Sequence, residues 1–127
     1  MKNMCLTLLA VVASLFWMPG LASGHHGWAA FESKTTVTFK GTVTDFHFVN
    51  PHSVVDFDVK DDQGQVQQWQ GELTSATRLA TKGWTATTLE AGNEVTITGY
   101  RAQSGVRTVR ISKIISNGTE LKIETGN

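Results

Sequence analysis

Four histidines carry most of the chemistry this sequence could do: His25, His26, His47 and His52. Two of them are adjacent, in Ser23-Gly24-His25-His26-Gly27-Trp28. A chain cut after Ala22 would begin Ser23-Gly24-His25. That start offers a free amine, two deprotonatable amides and an imidazole at the third position. Four nitrogens in that order can form the square plane preferred by Cu(II) or Ni(II). A chain cut after Gly24 would begin at His25, whose amine and ring can chelate one ion, with His26 or His52 supplying a second ring. Neutral imidazole and a free amine also suit zinc. Met1, Met4, Met18 and Cys5 all precede either cut, so a processed chain has no sulfur ligand and a nitrogen site of the Cu(II) type is favoured. The expected metal residues are therefore His25, His26 and His52, with His47 a weaker fourth. Copper is the expected ion, and zinc or nickel are the alternatives. Against this stands a plainer reading: the paired histidines are a flexible polar arm, His52 a turn residue and His47 an exposed strand residue.

These ligands must be positioned, and the chain order says by what. Met1-Lys2-Asn3 is a short positive start, and Cys5 to Met18 is almost wholly apolar. Pro19-Gly20 then breaks the run, and Leu21-Ala22-Ser23-Gly24 supplies small residues. An apolar run of about 14 residues fits the core of an export signal, and is shorter than the roughly 20 a membrane-spanning helix needs. Residues 1–24 are expected to be a signal peptide, cleaved after Ala22 or Gly24. Residues 25–34 are expected to be a histidine-containing arm, and residues 35–127 one domain. The protein is then exported or secreted, with no stable membrane insertion after processing. Removing Lys2 takes Lys+Arg from 11 to 10 against 11 Asp+Glu. So even a balance makes no electrostatic case for nucleic acid.

The domain reads as β. In Thr36 to Thr44, Val37, Phe39, Gly41 and Val43 share one face, the alternation of a half-buried strand. Phe46 and Phe48 fall on the opposite parity, which predicts a bulge or bend near Asp45. Asn50-Pro51 ends this strand. A second runs on from His52-Ser53 with Val55, Phe57 and Val59 facing one way. A third spans Val66 to Leu73. Thr74 or Ser75 can cap a short helix through Lys82, stopped by Gly83. Strands follow at Glu94 to Tyr100, Val106 to Ile115 and Thr119 to Ile123. Three strands, a helix, then more strands is the order of an OB fold. The expected class is all-β with one short helix: a small OB-fold-like, five- to six-stranded antiparallel barrel.

Four pieces together are distinctive: His25-His26-Gly27-Trp28-Ala29-Ala30-Phe31, Lys40-Gly41-Thr42-Val43, Asn50-Pro51-His52-Ser53, and Gly83-Trp84-Thr85 with Leu89 and Gly92. The combination resembles a family of short exported bacterial proteins classed only as a domain of unknown function. The resemblance spans essentially the whole chain behind the leader. It implies a small β-rich fold and a periplasmic setting, and brings no activity with it. In such chains the position of His47 is often occupied otherwise, which makes His52 the stronger candidate.

Two function classes follow. The first is a periplasmic metal-binding protein that holds Cu(II) through the amino-terminal amine and histidines. The second is a non-metal OB-type binding module for a protein, peptide or glycan partner. Either could involve a periplasmic protein partner. The sequence holds no nucleophile with a nearby base, no Walker loop and no dinucleotide fingerprint, so the reading leans away from an enzyme. Trp28, Trp69 and Trp84 are expected in the core rather than on a stacking platform.

Overall fold

A computed structural model describes residues 30–124. The leader, the cleavage positions, His25, His26 and Trp28 lie outside the described residues. Six strands and one helix follow in the order β1 (Phe31–His47), β2 (Val54–Lys60), β3 (Val66–Glu72), α1 (Ala76–Ala80), β4 (Glu94–Ala102), β5 (Thr108–Ser116) and β6 (Thr119–Leu121).

β1 is the strand on which the others are hung. Its 17 residues outrun either neighbour, so it serves two partners. Thr36 to Thr42 pair with β4, and Thr42 to His47 pair with β2. Between Val43 and Asp45 the register with β2 shifts by an extra residue. That shift is why Val43 and Phe46, of opposite parity, both turn inward. Gly41 lies close against the backbone of β2. A Cβ there would be driven against the Asp58 carbonyl oxygen, so only glycine fits. β1 also begins at Phe31, inside the segment assigned above to an arm, and Phe31 is buried.

The expected OB-like antiparallel barrel is corrected to one mixed six-stranded sheet, ordered β3-β2-β1-β4-β5-β6. Strand direction supplies the reason. β2 and β4 both run antiparallel to β1, β3 antiparallel to β2, and β5 antiparallel to β4. β3 and β5 therefore run the same way, and where the coiled sheet brings them together they pair in parallel. That contact is short, from Gln70↔Thr108 to Glu72↔Arg110. β6 adds an edge outside β5 through a two-residue hairpin, Asn117-Gly118. Both of those residues have positive φ, 47° and 83°, as a type I′ turn requires.

Val43, Val55, Phe57, Trp69, Val95, Ile97 and Ile111 form the centre of the core, all buried. Val37, Phe39 and Val59 are partly buried and pack against it. α1 is too short to hold itself and is pinned at both ends. Ser75 Oγ accepts from Arg78 N–H at 3.2 Å, and Leu79 is fully buried beneath it. Trp84 is buried as well, and its Nε1–H donates to the Lys122 carbonyl at 2.7 Å, which ties the end of the chain to the core. No helix among the described residues is long and apolar enough to cross a membrane.

Candidate functional site

The Asn50-Pro51-His52-Ser53 corner joins β1 to β2, and each residue has a separate task. The Asn50 side chain reaches over to α1. Its Oδ1 accepts from Thr77 N–H at 3.2 Å and its Nδ2 donates to Thr77 Oγ1 at 3.1 Å. The Asn50–Pro51 peptide is cis. Ser53 is fully buried and locks the corner to the end of β3: Ser53 N–H donates to Thr74 O at 3.0 Å, and Leu73 N–H to Ser53 O at 2.8 Å. Its hydroxyl donates to Val49 O at 3.2 Å. Ser53 thus has a structural hydrogen bond and no exposure, the opposite of what a nucleophile beside His52 would need.

His52 is the residue this corner delivers. Its Nδ1 lies 2.7 Å from Glu72 Oε1, and Arg110 Nη1 lies 2.8 Å from the same oxygen. Glu72 and Arg110 are 15% and 12% exposed, His52 39%. A carboxylate only accepts, so Nδ1 carries a proton and Nε2 is the nitrogen turned outward. No residue among those described bonds to Nε2. This chain of three fixes the ring and its tautomer in the way a carboxylate orients a functional histidine. A partly buried Arg–carboxylate pair behind it anchors the carboxylate in turn.

His47 lies on the same face but belongs to another group. Its Nε2 is 3.1 Å from Asp56 Oδ2 and 3.5 Å from Asp45 Oδ2. Gln70 Nε2 donates to the other Asp56 oxygen at 3.1 Å. The register explains the layout. One row across the sheet is Asp45, Asp56, Gln70 and Thr108. The next is His47, Val54, Glu72 and Arg110. The two rows span four strands, about 14 Å at the usual strand spacing, and His52 drops onto the second from the corner. The face is a pre-bonded polar surface.

His52 and His47 thus sit in one surface, each with its own carboxylate, and the structure does not bring them together on a shared point. Among the described residues no group of three or more His, Cys, Asp and Glu could hold a metal ion. The expectation of a copper or other metal-binding protein is corrected to that extent. The carboxylates are already engaged, Glu72 by Arg110 and His52, Asp56 by His47 and Gln70. His25 and His26 lie outside the described residues. Glu72 and Arg110 went unmarked in the sequence because nothing local signals them. They are 20 and 58 positions from His52, and only the β2–β3–β5 register joins the three.

A second concavity, of about 800 Å³, crosses β1 at Gly41 between Lys40, Lys60, Asp58 and Glu94. Asp58 Oδ1 is buried there without a hydrogen-bond partner.

Residues 12–110 match a family described as a family of unknown function, DUF6152. The chain belongs to DUF6152. The resemblance drawn from the motifs, to short exported proteins of unknown function with a His-His start and an OB-like barrel, is corrected on the fold: the family shown is of unknown function, and this member forms a mixed sheet and not a barrel. No curated protein matches the chain. Nine chains of solved structures match. One is the ZRD-deleted mutant of TiaS in complex with agmatine, at 17% identity and a TM-score of 0.43 over 75% of this chain. This chain spans 26% of the TiaS chain, and at that distance agmatine binding remains a property of TiaS.

Proposed function

We propose that this DUF6152 protein is a non-metal binding module for a protein or peptide partner, and that the two-row polar face is its contact surface. The observation that carries the reading is the His52–Glu72–Arg110 chain. Two partly buried charged groups are arranged behind one half-exposed ring, and the ring presents a single nitrogen to solvent. Such an arrangement lowers the cost of binding, since the ring is oriented before a partner arrives. Around it Asp45, Asp56 and Gln70 offer acceptors and a donor at fixed spacing. Polar groups of that kind confer register and specificity more than raw affinity. The setting we propose is periplasmic or secreted, on the strength of the leader-like residues 1–24.

The test is a displayed-peptide library run beside a glycan array on the full chain, His52→Ala and Glu72→Gln. Peptides should be enriched by the parent and weakened about tenfold or more by both substitutions, with the far-ultraviolet spectrum retained. Enrichment of glycans alone would replace the peptide partner by a sugar. No enrichment, together with tight Cu(II) binding by calorimetry that His25→Ala abolishes, would sink the module. Fractionation of the expressing cells tests the setting: full-length chain retained in the cytoplasm would refute export.

A further inference from the structure

Beside the first half of β3 a neighbouring strand is missing. Residues along a strand address its two neighbours alternately. Gln70 N–H donates to Arg107 O at 2.9 Å, on the β5 side, whereas Gln65 O accepts from Asp61 N–H at 2.9 Å, on the β2 side. The register with β2 runs from Val54↔Glu72 to Lys60↔Val66 without a shift. The backbone groups of Val66 and Gln68 therefore point as those of Gln70 do, away from β2. β5 does not reach them, because its pairing starts at Gln70↔Thr108. Just before that point the chain turns at Gly105, whose N–H bonds back to Ala102 O at 3.2 Å. Among the described residues no backbone hydrogen bond reaches Val66 or Gln68 from this side.

The surroundings of the gap favour one kind of occupant. Val66 and Val106, 57% and 55% exposed, flank it. A pocket of about 300 Å³, lined by Thr44, Asp56, Gln68, Trp69, Gln70 and Arg107, lies beside it, on the side of the polar face. Arg107 is exposed, and the Arg101 guanidinium lies 5.0 Å over the Trp69 ring. Neither arginine has a carboxylate partner among the described residues. The edge positions are Val66 and Gln68, with no proline or lysine to blunt them, although an open edge is a liability that chains normally guard.

We propose that an extended peptide with alternating β-branched and acidic side chains docks here by adding a strand to β3 at Val66 and Gln68. Main-chain hydrogen bonds to the edge supply affinity, and alternate side chains supply selectivity. Apolar side chains rest on Val66 and Val106, and carboxylates meet Arg101 and Arg107. The proposal rests on the peptide-binding reading of the protein and extends the polar face past Gln70 to the β3 edge, where the backbone of the same peptide pairs.

The experiment titrates the ¹⁵N-labelled full chain with an acetylated, amidated hexapeptide alternating valine and aspartate. The amide signals of Val66 and Gln68 should shift, and their hydrogen exchange should slow at least tenfold at saturation. The same peptide N-methylated at alternate residues should not bind, and one with lysine in place of aspartate should bind at least tenfold more weakly. Gln68→Pro removes an N–H that faces the gap and none that bonds to β2, so it should abolish binding. If Gln68→Pro does not fold, Arg107→Glu, on an exposed side chain, should weaken binding at least tenfold. Shifts confined to His52, Glu72 and Arg110 would overturn strand addition and leave the binding module standing. So would a displayed library enriched by the parent chain and untouched by Gln68→Pro. Protection of Val66 and Gln68 in a self-associated form without peptide would also overturn it, with a second copy as the occupant.

Discussion

Glu72 is a single side chain answering to two cations or donors, and its removal should be felt in both directions. Glu72→Ala would leave the largely buried Arg110 without this carboxylate and free the His52 ring. Breaking a fully buried pair costs about 3–5 kcal/mol; with the residual exposure here we expect about 1–3 kcal/mol by denaturant unfolding. His52→Ala should cost under about 1 kcal/mol, because the ring is more than a third exposed and its pairing is screened. If His52→Ala proves the costlier change, the ring is a structural prop and the binding role assigned to it falls. Asp58 offers a test of opposite sign. Its Oδ1 is buried with no partner, and an unpaired buried oxygen costs more on a charged carboxylate than on a neutral amide. Asp58→Asn should therefore be neutral or stabilising by up to about 1 kcal/mol, and a clear loss of midpoint would mean the carboxylate has a partner in solution. At this scale the sequence was a partial guide. His52 stood out because it follows Asn50-Pro51 at the start of a strand. Its partners did not, since a carboxylate on a solvent-facing strand position looks the same whether or not an arginine lies one strand further on.

Among the elements, α1 and the glycines of β4 and β3 bear the sharpest expectations. Asn50→Ala removes the acceptor that holds Thr77 N–H, and Ser75→Ala removes the cap on Arg78 N–H. Each should cost about 0.5–2 kcal/mol and speed hydrogen exchange at Thr77 or Arg78. Unchanged exchange in Asn50→Ala would detach the corner from the helix. A Cβ on Gly99 would meet the Arg110 carbonyl, part of the backbone of β5, whereas one on Gly71 would meet the Ile111 and Val55 side chains. Backbone cannot yield as a side chain does. Gly99→Ala should cost about 1–3 kcal/mol and more than Gly71→Ala, as thermal melts of the pair would show. The strands themselves were legible, since alternation of Val55 with Phe57, or Val95 with Ile97, is a local signal. The break near Asp45 was legible for the same reason: Val43 and Phe46 cannot share a face without an extra residue. The parallel contact of β3 with β5 was not. It covers three residues, and three residues carry no period from which a direction could be read.

For the whole molecule, one core means one transition. Phe57 is buried at the centre of that core, and Phe57→Ala should cost about 3–5 kcal/mol. A domain this size has about 5–15 kcal/mol to lose. Residual sheet structure above the midpoint would show that the two sides of β1 melt separately. The long shared strand also sets an order in time. Its second half meets β2 across a short corner, while its first half waits for β4: Thr38 bonds to Thr98, 60 positions away. Closing so long a loop is slow, and chains dominated by distant pairings fold slowly. The β1–β2–β3 meander is therefore expected to assemble first and to spend a measurable interval with Val37 and Phe39 uncovered. In stopped-flow refolding, a substitution such as Val55→Ala should slow the folding limb, and Ile114→Ala should mainly hasten unfolding. During that interval the exposed half of β1 is an adhesive surface, so yield on refolding should fall as protein concentration rises, even though the finished protein hides that surface under β4.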